Sequence, residues 1–288
     1  MKLTTSTARI LLILALNSAA AACSPQKDGD GPQSQPQAQT QQAQQTQNPG
    51  QTANQEQPSD PAAGGMMHMH MHDPANPPVD CPLRRQGIDP TKMKPFEQVE
   101  AYINFLEQEN RRVWQKPEEV VEAMGLQGNE RVLDLGAGSG YFSFPIAQKL
   151  TASGRLFAAD VEPEMVRHIH HRAMESGAQN VEALLVDAEK PKIPEKTDVV
   201  FICDVMHHVA RPQEWLTGIV EQLPAGARMH IIEFKPGDIP GGPPAAVKIA
   251  PEKLQEIAVN SGLRLERRDD DLLPYQNYYI FRKPAVGE

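Results

Sequence analysis

Three glycines stand at alternate positions directly after a short apolar run, in the segment RVLDLGAGSGY at residues 131–141. Gly136, Gly138 and Gly140 carry no Cβ, so the chain can turn sharply there and bring its N–H groups against a ligand. The residues that follow have the pattern of a helix, and a helix N-terminus favours a negatively charged or strongly polar group. Strand, glycine turn and helix together predict a cradle for a nucleotide-type ligand.

Two carboxylates accompany the glycine turn. Asp134 precedes it, and Asp160 ends a second short apolar strand, LFAAD. A carboxylate at the end of that second strand can accept hydrogen bonds from both hydroxyls of a ribose. The glycine spacing is G-x-G-x-G, whereas the dinucleotide fingerprint is G-x-G-x-x-G. The spacing therefore disfavours a dinucleotide, but the two carboxylates and the glycine turn are still consistent with a ligand that contains a ribose.

The elements that would position these residues alternate between strand and helix. The sequence predicts strands at 131–135, 155–160, 181–186, 198–203 and 228–234, and helices at 141–151, 162–176, 212–223 and 251–261. Alternation at this spacing predicts an α/β fold, in which a parallel sheet has helices on both faces. Two further runs, 263–270 and 275–283, are close enough in sequence to form a terminal antiparallel pair.

Taken together, Asp134, the glycine turn, Asp160 and this order of elements resemble the class I S-adenosylmethionine-dependent methyltransferases. The resemblance covers roughly residues 117–283. It implies a Rossmann-like, doubly wound, seven-stranded sheet with helices on both faces and a C-terminal antiparallel strand pair. It also implies S-adenosyl-L-methionine as the cofactor.

In a fold of this kind the ligand lies in the crevice beyond the carboxyl ends of the strands. The resemblance assigns cofactor-binding roles to Asp134, Gly136, Gly138 and Gly140 at the methionyl part, Asp160 at the ribose, Val161 and Met165 over adenine, Asp187 and Ala188 at its exocyclic amine, and Asp204 after the fourth strand. The alternative for Asp187 is a turn or helix cap.

A histidine pair, His207 and His208, follows the fourth predicted strand. A similar pair is common in methyltransferases that act on small molecules, and imidazole titrates near neutrality, so both are candidate general bases. One of the two is expected to be structural. The N/D-P-P-Y sequence of enzymes that methylate amide or adenine nitrogens is absent after this strand, which disfavours substrates of that kind.

The segment from Pro95 to Leu126 predicts two helices broken near Pro117. Apolar residues at helical spacing should bury one stripe of the first helix: Phe96, Val99, Tyr102, Ile103, Phe105 and Leu106. Trp114 and Gln115 are candidates for the ligand crevice. The alternative for Trp114 is ordinary core packing.

The first residues predict export. A basic start is followed by the apolar run ILLILAL and by NSAAAAC, which together indicate a signal peptide at 1–22. Cys23 resembles the lipidated residue of a bacterial lipoprotein, which predicts a lipid-anchored protein of the cell envelope; the alternative is ordinary cleavage after Ala22. Residues 23–79 predict a disordered Gln/Pro-rich tether, 80–127 a helical segment, and 128–288 the methyltransferase domain.

Removing the leader takes Lys2 and Arg9 from a chain whose formal net charge is −9, which leaves −11. A charge of this sign argues against nucleic acid, since phosphate binding needs a positive patch. Cys81 and Cys203 are predicted to be unpaired thiols.

Histidine and methionine alternate in MMHMHMH, at residues 66–72. Imidazole and thioether ligands suit copper, so His68, His70 and His72 are candidate metal ligands. The alternative is a low-complexity continuation of the tether. His168, His170 and His171 form a second histidine group, for which a solvated helix face is the more common explanation.

Two functions of different class follow from these patterns. The first is a methyltransferase acting on a small-molecule acceptor. The second is an exported S-adenosylmethionine-binding or copper-binding lipoprotein without turnover.

Overall fold

The computed structural model describes residues 82–88, 94, 96–240 and 242–285. The predicted leader, Cys23, the tether, the histidines of residues 66–72 and Cys81 lie outside the described residues.

Seven strands form one sheet. They are β1 (Arg131–Leu135), β2 (Arg155–Asp160), β3 (Val181–Leu185), β4 (Val199–Cys203), β5 (Arg228–Phe234), β6 (Arg264–Asp269) and β7 (Gln276–Arg282). Their order is β3-β2-β1-β4-β5-β7-β6. Neighbours from β3 to β5 are parallel, whereas β7 runs antiparallel to both β5 and β6. This topology confirms the predicted fold class, including the antiparallel strand inserted beside β5.

The helices of the described residues are α1 (Pro82–Arg85), α2 (Phe96–Leu106), α3 (Glu109–Gln115), α4 (Pro117–Ala123), α5 (Ser143–Lys149), α6 (Pro163–Ser176), α7 (Pro212–Gln222) and α8 (Pro251–Asn260). Proline stands in the first turn of α4, α6, α7 and α8. Proline favours this position because its fixed φ suits a helix and its missing N–H would have no intrahelical partner there.

Alternate residues of the central strands supply two apolar cores, one on each face of the sheet. Leu133 of β1 and Ile231 of β5 pack with residues of α7 and α8. Val132 of β1 and Phe201 of β4 pack with residues of α4 and α5. Because both faces are covered, the strands are apolar along their length, which is why they were predictable from short apolar runs.

The helical segment before β1 differs from its prediction. The break near Pro117 is confirmed, but the single helix expected before it is wrong, because the chain leaves the helix after Leu106 and resumes at Glu109. Gln108 has an extended backbone with ψ of 135°. The guanidinium of Arg111 donates to the carbonyl of Leu106, so the interrupted helix end keeps a hydrogen-bond partner.

The buried apolar face of α2 includes fewer residues than their helical spacing predicted. Val99 and Ile103 are buried and pack against Met165 of α6. Tyr102 is 44% exposed and Phe105 48% exposed, so their predicted burial is wrong. The helix meets the domain along one row of side chains only, and its neighbouring rows face solvent.

Candidate functional site

The candidate site lies where the carboxyl ends of β1, β2, β4 and β5 meet. Strand order runs outward in opposite directions from β1 and β4, so a crevice opens between the loops that follow these two strands.

The glycine turn requires the absence of side chains at its first position. Gly136 has φ of 85°, and a Cβ there would lie 2.3 Å from Cγ2 of Val205. Val205 belongs to the loop after β4, which also carries the histidine pair. The two loops therefore touch, and the predicted cofactor and base positions share one crevice.

Asp134 is buried at the end of β1 and accepts a hydrogen bond of 2.5 Å from Oγ of Ser143. Burial raises its pKa from 3.8 to about 7; the hydrogen bond from Ser143 acts in the opposite direction. Ser143 begins α5, so the helix after the glycine turn both continues the cradle and holds the first carboxylate.

Asp160 links the end of β2 to the glycine turn. One carboxylate oxygen accepts from the N–H of Gly138 at 2.8 Å and the other from the N–H of Glu162 at 3.0 Å. Burial raises its pKa, and these backbone bonds oppose that rise. Val161 is 46% exposed, which leaves its surface open to a ligand, whereas Met165 is buried under α2.

Asp187 and Ala188 are exposed beyond β3. One carboxylate oxygen of Asp187 accepts from the N–H groups of Glu189 and Lys190, each at 2.8 Å. This geometry is the turn cap that the sequence allowed as an alternative. Contact with adenine stays a prediction for these two residues.

Asp204 follows β4 in the left-handed conformation, with φ of 58°. Gln115 donates to one of its carboxylate oxygens at 2.8 Å, and Gln276 donates to both at 2.7 Å. Burial, and then the charge of Glu233, raise the pKa of Asp204 to about 7. Asp204 thus belongs to a buried amide–carboxylate network on the β5 and β7 side of the crevice, and its predicted contact with the cofactor remains a prediction.

His207 pairs with Glu233 of β5. Its Nδ1 lies 2.8 Å from a Glu233 carboxylate oxygen, and both side chains are at most 4% exposed. The other oxygen of Glu233 accepts from the N–H of Met206 at 2.7 Å, which fixes the carboxylate. An anionic acceptor at Nδ1 selects the tautomer that carries its proton there and leaves the lone pair on Nε2.

The pKa values of the two histidines move in opposite directions. Burial lowers the pKa of His207, but the hydrogen bond and charge of Glu233, with the charge of Asp204, outweigh burial and raise it overall. Lys248 opposes that rise. Partial burial and the charge of the neighbouring His207 lower the pKa of His208. His208 as a whole residue is nevertheless exposed to solvent. Of the two candidates, His207 has the geometry of an oriented base.

Arg111 is a cation that the sequence analysis missed. Its guanidinium lies over the ring of Tyr141 at 4.4 Å and donates to the side-chain oxygen of Gln115. Its charge acts to lower the pKa of both Asp134 and Asp204, so it lies within electrostatic reach of both sides of the crevice. The four-residue separation of Arg111 and Gln115 on α3 is the only sequence signal for this contact.

The glycine turn also contains polar atoms that fit a bound polar molecule. The hydroxyls of Ser139 and Tyr141 are buried without a hydrogen-bond partner. Buried polar atoms are normally paired, so these two need a donor or acceptor from elsewhere. Together with Asp134, Asp160 and the open backbone of the turn, they fit the amino-acid and ribose groups of S-adenosylmethionine.

The other predicted chemistry is not assembled in the described part of the chain. Among the described residues no three His, Cys, Asp or Glu side chains gather as a metal site, and His168 has a pKa lowered by burial. Cys203 is a free thiol that is partly buried. Lys235 donates to the carbonyls of Asp270, Leu273 and Pro274, which fastens the β6–β7 loop.

No helix within the described ranges has the length and apolar character needed to span a bilayer. Two surface cavities, of about 570 and 870 Å³, occur in the described part of the chain, and Tyr141 of the glycine turn lines the second. The first is at the amino ends of β1, β4 and β5, and the second is between α4 and α5. Neither is lined by Asp134, Asp160 or His207.

Comparison with known proteins agrees with the topology. A family model described as "Methyltransferase domain" matches residues 126–262. Aklanonic acid methyltransferase DauC of Streptomyces sp. (strain C5) is 30% identical over 137 residues, which are 44% of this chain and 59% of that protein. The ubiquinone/menaquinone biosynthesis C-methyltransferase UbiE of Azotobacter vinelandii is 29% identical over 125 residues, 43% of this chain and 49% of that protein.

The chain thus spans about half to three fifths of the length of these relatives. Among solved structures, a SAM-dependent methyltransferase from Aquifex aeolicus has a TM-score of 0.60 at 24% identity, covering 64% of this chain and 97% of that one. At this identity the likeness establishes the fold. The matched region, residues 126–262, contains the glycine turn and the strands that follow it, so this part of the chain is similar in sequence to methyltransferase domains and has the fold of a SAM-dependent methyltransferase.

Proposed function

We propose that the chain is an S-adenosylmethionine-dependent methyltransferase that acts on a small-molecule acceptor. The observation that supports this best is the Glu233–His207 pair, because it puts an oriented imidazole beside the glycine turn that would hold the cofactor. The similar proteins include an aklanonic acid methyltransferase and a ubiquinone/menaquinone biosynthesis C-methyltransferase, which agrees with the proposal.

When bound, S-adenosylmethionine supplies a methyl group already activated for in-line displacement. The residues of this chain have three tasks. Asp134, Asp160 and the glycine turn bind and orient the cofactor. The helical segment with Trp114 and Gln115 limits the access of water to the crevice. His207 accepts the proton of the acceptor at Nε2, while Glu233 holds the imidazole in the required tautomer and stabilises its charged form.

Glu233 acts in this scheme as a positioning residue. Its carboxylate is anchored by the N–H of Met206, so it can orient the ring of His207 without moving. The carboxylate of Asp204 is in the same region and accepts hydrogen bonds from the side-chain amides of Gln115 and Gln276. Burial and then the charge of Glu233 raise the pKa of Asp204 to about 7, so Asp204 is expected to be partly protonated near neutrality.

The reaction is tested by incubating the purified full chain with methyl-labelled S-adenosylmethionine and a small-molecule extract freed of macromolecules. Label should enter the small-molecule fraction, and His207→Gln should abolish the transfer while cofactor binding persists. His208→Gln is the matched control, since its ring is outside the pair. Equal loss in both variants would contradict the assignment of His207 as the base.

We also propose that the enzyme is exported to the cell envelope, in the periplasm or at the outer surface, and is anchored by a lipid at Cys23. Support comes from the sequence of residues 1–23 alone. Detergent phase partitioning tests it, since the wild type should enter the detergent phase and Cys23→Ser should not. Copper binding by residues 66–72 is a separate expectation, and deleting them should lower copper uptake without changing the melting temperature.

A further inference from the structure

Three aromatic side chains from distant parts of the sequence meet at the β5 side of the crevice. The ring of Trp114 lies 6.1 Å from that of Phe234 and 5.9 Å from that of Tyr275, measured between centroids. Trp114 lies in the last turn of α3, Phe234 is the last residue of β5 and Tyr275 directly precedes β7. Because β7 is antiparallel to β5, all three lie at the same edge of the sheet. We call Trp114, Phe234 and Tyr275 the aromatic wall.

The aromatic wall is separate from the apolar cores of the described residues. None of its three rings belongs to the clusters that cover the two faces of the sheet. Phe234 is 7% exposed, whereas Trp114 and Tyr275 are only half-buried and keep accessible ring surface. Core packing thus does not account for three aromatic residues at this point.

A base and a cation converge on the same wall. The His207 ring stands edge-on to Phe234, with centroids 6.0 Å apart. The ammonium of Lys248 lies 5.8 Å from the centroid of Phe234 and donates to the carbonyl of Gly237 at 2.6 Å, which holds it in place. A proton acceptor, a fixed positive charge and exposed aromatic surface therefore surround one small region.

On the basis of the proposed function, we propose that the acceptor is a planar aromatic molecule bearing an acidic hydroxyl, a phenol, which stacks on Trp114 and Tyr275. Its hydroxyl would face Nε2 of His207, and Lys248 would stabilise the phenolate. Aromatic rings prefer such offset or edge contacts at centroid separations of about 4.5–7 Å, as found within the wall. A cationic amine would instead be repelled by Lys248.

The transfer balances with these residues. The phenolic proton goes to Nε2 of His207. The phenolate oxygen forms the new bond to the methyl carbon, the carbon–sulfur bond breaks, and its electron pair remains on sulfur. A phenol suits an imidazole base because its pKa is near that of tyrosine, about 10, far below that of an aliphatic alcohol.

Binding of 4-nitrophenol tests the inference without turnover, because its phenolate has a distinct long-wavelength absorption band. The full chain is titrated with 4-nitrophenol, with nitrobenzene and with cyclohexanol, each with and without S-adenosylhomocysteine. We expect saturable binding of 4-nitrophenol with a larger phenolate band than in buffer, and quenching of tryptophan fluorescence. Nitrobenzene and cyclohexanol should bind at least tenfold more weakly.

The variants locate the site. The chain has two tryptophans, and the other one, Trp215 of α7, is buried in the apolar core. Trp114→Phe should remove the quenching and Trp114→Ala should weaken binding several-fold, up to about tenfold. Lys248→Gln should remove the excess phenolate band. Lys253→Gln, at an exposed lysine of α8, is the matched control and should change neither signal.

Unchanged binding and band in Trp114→Ala and Lys248→Gln, or equal affinity for cyclohexanol, would overturn the inference. Failure of S-adenosylhomocysteine to bind would instead count against the proposed function. Because the titration is also done without S-adenosylhomocysteine, the two failures are distinguished.

Discussion

Replacing Asp134 with asparagine should stabilise the fold and weaken the cofactor complex. Asparagine keeps the size of the side chain and an oxygen that accepts from Ser143, but it removes a buried charge. Burial raises the pKa of Asp134 from 3.8 to about 7, so the folded state holds this carboxyl in its neutral form over a range where the unfolded chain ionises it.

The sign and size follow from linkage. A carboxyl with a raised pKa in the folded state destabilises the fold above its unfolded pKa, and this cost grows until the pH passes the folded pKa. With the values of 3.8 and about 7, and about 1.4 kcal/mol for each pKa unit, the cost is about 2 kcal/mol near pH 5 and about 4 kcal/mol near pH 8.5.

Urea unfolding of the wild type and Asp134→Asn at about pH 5 and about pH 8.5 measures this difference. The gain in free energy of unfolding should be larger at the higher pH by about 2–3 kcal/mol. Glu182→Gln, at an exposed carboxylate of β3, is the control and should show no such dependence. An equal gain at both values, or a loss at the higher one, would refute the reasoning, because it would mean that a partner stabilises the buried carboxylate.

Two further predictions concern the glycine turn and the histidine pair. Gly136→Ala should destabilise the fold by about 2–4 kcal/mol, because residue 136 has a positive φ and the new Cβ would overlap Val205. Gly226 has a similar φ but open space around it, so Gly226→Ala should cost only about 1 kcal/mol. Thermal unfolding of both variants measures the difference. Glu233→Gln should lower kcat about 100-fold or more with little change in KM and shift the acidic limb of the pH–rate profile to lower pH, because the pKa of His207 falls without the carboxylate; an unchanged profile would contradict the pairing.

The sheet and the glycine turn could be predicted because their signals are local. Strands that are buried on both faces are continuous apolar runs, and β1, β2 and β5 begin and end where those runs predicted. The sharp turn after β1 requires glycine at position 136, because a Cβ there would overlap the side chain of Val205.

The network around Asp204 could not be predicted in the same way. Its partners Gln115 and Gln276 are 89 and 72 residues away, and no periodicity links them. Gln276 lies on a strand that pairs with β5 out of sequence order, so its place beside Asp204 follows from topology rather than from local pattern. Arg111 was missed for a related reason, since an arginine on a short helix is usually solvated.

The exposed residues of α2 show a third limit. Helical spacing identifies which residues share a face, but the width of the covered stripe depends on the neighbouring element. Val99 and Ile103 are buried against Met165 of α6, with Leu106 partly buried beside them, whereas Tyr102 and Phe105 remain exposed.

Calorimetric titration of the full chain with S-adenosylmethionine, and with S-adenosylhomocysteine, tests the central claim most directly. We predict one site per chain, and an affinity reduced by about 1–3 kcal/mol in Asp160→Ala, because ribose hydroxyls lose an ionised acceptor. Asp160→Asn, which can still accept from the N–H of Gly138, separates loss of charge from disturbance of the turn. Glu182→Gln should bind as the wild type does. Absence of binding heat for both molecules, or unchanged affinity in both Asp160 variants, would contradict the assignment of this crevice as the cofactor site.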